Sequence, residues 1–139
     1  MNVFDIIGPV MIGPSSSHTA GAIRIARIAR MFVGEDIEKA LIKLHGSFAD
    51  TYRGHGTDKA IIGGLLNFDT DDIRIRDSIQ LAKEAGMQYT FEVADLGDVH
   101  PNTAYIEVTG KSGRSMSLMG SSIGGGNVVI TRINGLEVE

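Results

Sequence analysis

Apolar positions in the first third of the chain recur at helical spacing. Ala22, Ile25, Ala26, Ala29, Phe32 and Val33 fall on one face, Arg24, Arg27 and Arg30 form a separate row, and Gly34 supplies a stop. The pattern predicts a helix from Ser17 to Val33 whose arginine row is a solvated face. Residues 40–46 alternate as a strand does, with His45 near its end. Thr57 and Asp58 read as caps of a short helix through Leu66. Asp69 to Asp72 open another helix, which carries Ile75, Ile79, Leu81 and Ala82 and ends at Gly86.

From Gln88 onward the pattern changes. Runs of β-type residues at 88–94, 103–109, 114–119 and 127–133 are separated by Gly, Asp, Pro and Asn turns, and residues 133–139 read as a strand running into a polar linker. Helices early and strands late, without regular alternation, predict an α+β fold. It is a two-layer sandwich in which helices cover one face of an antiparallel sheet, in a single domain over residues 1–139. No internal repeat or low-complexity tract interrupts it.

Bulk properties narrow the function classes. The 139 residues suit one domain with a real core, and a net charge of −4 offers no basic field for nucleic acid. There is no cysteine, so the chain forms no disulfide and holds no iron–sulfur cluster or thiolate zinc site by itself. No apolar run approaches the roughly 20 residues of a membrane span and no charged leader precedes one, which gives a cytoplasmic expectation.

Candidate chemistry sits in four stretches. Gly13-Pro14-Ser15-Ser16-Ser17-His18-Thr19 places four hydroxyls and an imidazole at a helix start. Free backbone N–H groups and the helix dipole there favour a carboxylate or phosphate, and His18 can move a proton near neutral pH. One hydroxyl would suffice for a plain cap. Gly54-His55-Gly56-Thr57-Asp58-Lys59 sets a second imidazole between glycines before a helix start, with Asp58 able to orient a neighbouring histidine; a solvent-exposed turn is the other reading.

His100-Pro101-Asn102-Thr103 fits a β-turn as well as a site. Ser121 to Asn127, with Gly124-Gly125-Gly126 at its centre, could cradle an anion on backbone amides, but lacks the lysine and spacing of a nucleotide P-loop. The four histidines, at 18, 45, 55 and 100, show no paired helical spacing of a metal site, and His45 reads as structural. No Gly-x-Ser-x-Gly elbow marks a serine hydrolase.

Taken together and in this order, the four stretches resemble the beta subunit of bacterial iron–sulfur-dependent L-serine dehydratase, over nearly the whole chain. The resemblance implies a lyase that converts L-serine to pyruvate and ammonia. Its four-iron four-sulfur cluster would be ligated by a cysteine-bearing alpha subunit and not by this chain. It further implies that His18, His55 and Asp58 are catalytic, and that Ser15, Ser16, Ser17, Thr19, His100, Asn102, Gly124 and Gly125 lie at the substrate, with homo-oligomer formation besides. Such beta subunits usually continue into an ACT-type regulatory domain, which the 139 residues lack.

A similar domain in some D-3-phosphoglycerate dehydrogenases supplies the alternative, a regulatory module sensing a small carboxylate or phosphate. Three histidines on loops exceed what anion affinity needs, since neutral imidazole is a poor anion ligand, and this favours catalysis.

Overall fold

The structure, a computed structural model, describes residues 17–51 and 56–138. Helix α1 spans Ser17–Val33, the range its apolar spacing predicts. Ala22, Ile25, Ala26, Ala29 and Val33 are buried along its inner side. The helix stops where the Gly34 amide reaches back to the Arg30 carbonyl at 3.0 Å, and Arg30 in the last turn meets the negative end of the dipole. Phe32, expected inside, is 55% exposed. It stands about 100° around the axis from Val33, off the line that faces the sheet.

The arginine row is not a solvated face. Arg24 is buried, Arg27 pairs with Asp69 at 3.3 Å, and Arg30 pairs with Asp36 at 3.2 Å. Strand β1 follows at Ile37–Gly46, three residues longer at its start than the alternation alone suggests. A single helical turn, α2, covers Ser47–Thr51.

Helix α3 spans Thr57–Leu65, but neither Thr57 nor Asp58 is its cap. That position belongs to Gly56, whose left-handed backbone (φ 83°) turns the chain into the helix, and whose carbonyl takes the first helical bond, from Ala60 N–H at 2.9 Å. The Asp58 carboxylate instead accepts from the adjacent Lys59 amide at 2.8 Å. The next expected helix is divided into a 3₁₀ segment, Ile73–Asp77, and helix α4, Ser78–Glu84. Asp72 caps the first piece by accepting from Arg74 N–H at 2.9 Å.

Five strands complete the sheet: β2 Gln88–Val93, β3 Asn102–Gly110, β4 Ser115–Gly124, β5 Asn127–Ile133 and β6 Leu136–Glu137. Their order is β2-β1-β3-β4-β5-β6. Every neighbouring pair is antiparallel except β1 and β2, which run parallel. Residues 47–87, with α3 and α4, provide the crossover a parallel pair requires. The C-terminal stretch expected as strand and linker turns at Asn134-Gly135 to add β6 as a short edge.

Period-2 alternation directs Ala40, Ile42 and Leu44 of β1, Ala104, Ile106 and Val108 of β3, and Met116 and Leu118 of β4 to one face. That face packs beneath α1, which lies over β3, β4 and β5, with α3 alongside. Burying each such aliphatic chain contributes about 1.5–3 kcal/mol. Gly64 of α3 sits against the Ile23 carbonyl and Ala26 of α1, closer than a side chain there would allow. Among the described residues, no helix is long and apolar enough to cross a membrane.

Candidate functional site

The start of α1 lies over one end of the sheet, where β1 leaves and β3 begins, and where β4 turns into β5. Gly21 rests on Ser122 of β4, and Ala20 packs toward Gly126 at the β4–β5 turn. No acidic residue stands in the first turn of α1, so the positive end of its dipole is uncompensated from within the helix.

The glycine-rich stretch is not an open loop. Ser121 to Gly124 continue β4, and Gly125 and Gly126 (φ 61° and 80°) form a two-residue hairpin turn, which demands left-handed backbone at both positions. Its fastening is the buried Arg24, whose Nη1 donates to the Gly126 carbonyl. The expected cradle of amides is thus a tight turn, held through a carbonyl by a guanidinium. Gly124 and Gly125 remain exposed at its tip.

Below the turn, β3 and β4 are tied by hydroxyls. His45, Thr103, Ser121 and Val129 occupy one register row across β1, β3, β4 and β5. The buried Thr103 hydroxyl lies 2.7 Å from that of Ser121 and donates to the His100 carbonyl at 2.6 Å. The Ser47 amide donates to the Pro101 carbonyl at 2.8 Å. Asn102, opposite Gly46, is half-buried, and its side-chain oxygen is buried with no hydrogen bond from any described residue.

His100 is exposed. Its Nδ1 accepts from the Asn102 amide at 3.0 Å, so the neutral ring carries its proton on Nε2 and presents a donor. It borders a cavity of about 470 Å³ on the face away from the helices, with Met119, Ser121, Val129, Thr131 and Val138. His45, read as structural from the sequence, accepts at Nδ1 from the Leu96 amide at 3.0 Å, with Asp95 Oδ1 4.0 Å away.

Three of the four stretches therefore meet at one end of the sheet: the opening of α1, residues 100–103, and the β4–β5 turn. Of the residues singled out, Ser15, Ser16 and His55 lie outside the described residues. Ser17 and His18 open α1, but their side chains lie outside them too. Thr19 is buried in the first turn of α1 and Asp58 half-buried in that of α3. Arg24 was missed as a member of this end. Nothing local marks it, because the group that engages it is 102 residues along the chain.

The sequence has no cysteine, and the described residues include no group of three His, Cys, Asp or Glu that could hold a metal ion. The donor set present does not fit an iron–sulfur cluster. What the arrangement offers is an electropositive helix start with a buried guanidinium about two turns in, at the sheet end that also carries an exposed imidazole and an unspent amide oxygen.

Residues 2–99 match the family model described as serine dehydratase beta chain. The chain is 57% identical over 137 residues to the probable L-serine dehydratase, beta chain, of Bacillus subtilis (strain 168), covering 99% of this chain and 62% of that protein. It is 48% identical over 139 residues to the L-serine dehydratase, beta chain, of Peptoniphilus asaccharolyticus, covering 99% and 63%. L-serine dehydratase 2 of Escherichia coli (strain K12) is 40% identical over 85 residues, 57% of this chain and 18% of that protein. The chain thus spans less than two thirds of the length of these relatives.

Proposed function

The chain belongs to the serine dehydratase beta chain family, and we propose that with a cysteine-bearing alpha chain it forms an L-serine ammonia-lyase of the cytoplasm. In the net reaction the α-proton and the β-hydroxyl leave L-serine as water, and the resulting enamine tautomerises and is hydrolysed to pyruvate and ammonia. A four-iron four-sulfur cluster, on this reading, is ligated by the partner and by no residue of this chain, which has no thiolate to offer.

The contribution of this chain is to bind and orient. The α1 start, with Ser15, Ser16, Ser17 and Thr19, receives the substrate carboxylate on its amides and hydroxyls, where the dipole stabilises an anion by about 0.3–1 kcal/mol or more when partly buried. His18 and His55 handle protons, with Asp58, three residues further along the chain, to orient the second. His100 donates from Nε2 at the rim, beside Asn102, and the Gly124-Gly125 tip closes the same end.

The supporting observation is the convergence of the α1 opening, Asn102–Thr103 and the Gly126 turn, fastened by Arg24, on one end of the sheet. The test is anaerobic reconstitution of the full chain with its alpha partner, followed by pyruvate release from L-serine. Wild type should turn over, and His18→Ala should lose about a hundredfold in kcat while still assembling. Near-normal turnover in His18→Ala, with only a feedback response lost, would point instead to a sensing module.

A further inference from the structure

We infer that His45 is a positioning residue: its imidazole Nδ1 holds residues 94–101, the segment that carries His100, against the end of the sheet. The segment is anchored at both ends. At its start, Ala94 N–H donates to the Leu44 carbonyl at 3.0 Å, and Leu96 N–H donates to His45 Nδ1 at 3.0 Å. At its finish, the Pro101 carbonyl accepts from Ser47, the His100 carbonyl accepts from Thr103, and the Asn102 amide is held by His100 Nδ1.

Among these anchors, the His45 bond joins the segment to the sheet through a titratable side chain of β1, itself only 17% exposed. Backbone carbonyls accept at any pH. An imidazole nitrogen accepts only while unprotonated, and a protonated Nδ1 becomes a donor. Asp95 Oδ1, 4.0 Å away, is the acceptor it would then turn to, although that oxygen already receives the Gly97 amide at 2.9 Å.

Other charged or titratable groups on this side are Asp98 and His100 in the segment, Lys43 on β1, Tyr105 and Glu107 on β3, and Glu92 on β2, paired in register with Lys43. Lys43 is drawn to the Tyr105 ring, 5.7 Å from its centroid, and the Tyr105 hydroxyl bonds Glu107 at 3.0 Å. Asp95 is the carboxylate placed to receive a His45 proton.

The consequence for turnover rests on the dehydratase reading; the hold itself does not. The test compares wild type with His45→Asn, whose Oδ1 can stand where Nδ1 stood and does not titrate, and with His45→Leu, which fills the space without an acceptor. Leu96 amide exchange, corrected for the intrinsic rate, is followed in the full chain assembled with its partner.

Wild type should be protected, and His45→Leu should lose about fivefold to tenfold of that protection, the scale of one hydrogen bond. His45→Asn should stay protected. L-serine turnover should follow, with kcat lowered severalfold in His45→Leu and retained in His45→Asn.

Unchanged Leu96 protection in a folded His45→Leu, or loss of that protection in a folded His45→Asn, would overturn the inference. Should His45→Leu fail to fold, the wild type and His45→Asn comparison decides alone. If the wild-type complex does not turn over L-serine at all, the functional reading fails while the exchange data still judge His45.

Discussion

Gly21 of α1 rests on Ser122 of β4, so close that any side chain at position 21 would overlap the serine hydroxyl. A helix interior normally favours alanine over glycine by about 1 kcal/mol. Here overpacking opposes that gain. Gly21→Ala is expected to destabilise the fold by about 1–3 kcal/mol, read from urea unfolding. Adding Ser122→Gly opens the space, so the double variant should lose less than the two single losses combined.

Arg24 is a guanidinium whose cost of burial is offset partly by the Gly126 carbonyl. Arg24→Leu leaves that carbonyl without its donor at the hairpin turn. The expected loss is about 1.5–3 kcal/mol, the range for a hydrogen bond to a charged group. Increased hydrogen exchange should concentrate at residues 124–127, and equal loss across the whole sheet would argue against the fastening role.

Thr103 and Ser121 share a buried hydroxyl contact of 2.7 Å. Removing Thr103 strands the Ser121 hydroxyl and takes the donor from the His100 carbonyl, whereas removing Ser121 leaves Thr103 its bond to that carbonyl. A double-mutant cycle with Thr103→Val and Ser121→Ala should therefore give a coupling of about 1 kcal/mol. Additive single losses in thermal unfolding would show that the two hydroxyls do not support each other.

The Ser112 backbone amide, and then its hydroxyl, both 2.8 Å from Glu35 Oε2, hold the Glu35 carboxyl below its ordinary value. A carboxylate with a lowered folded pKa stabilises above its unfolded value, and that contribution disappears as pH falls through the folded value. Wild type should therefore exceed Glu35→Gln in stability at neutral pH, and the two unfolding curves should converge in acid. A gap that persists unchanged to low pH would show that the carboxylate charge is not what matters.

Helix α1 was legible because its determinants are local: inward spacing from Ala22 to Val33 and a glycine at the stop. The same logic misplaced the cap of α3, since a hydroxyl and a carboxylate at 57–58 look like caps while the left-handed backbone that does the work belongs to Gly56. Arg24 looked like its neighbours Arg27 and Arg30, and only the distant hairpin makes it different. The parallel pairing of β2 with β1 was invisible to periodicity, which reports the face a residue occupies and not the direction of its partner. The candidate chemistry was readable as four stretches; the meeting of three of them at one sheet end was not, because it depends on strand order.

The tie from Arg24 to Gly126 spans 102 positions of sequence. Loop closure of that reach is among the later and slower events open to a folding chain. Competence at this end is therefore a property of the finished molecule, and a helix–strand fragment from the first half would inherit the serine-rich segment without the surroundings that give it a role. Lesions at either side of that long tie, at Arg24 or at the Gly126 turn, should then disturb this end as a change in the serine-rich segment itself would.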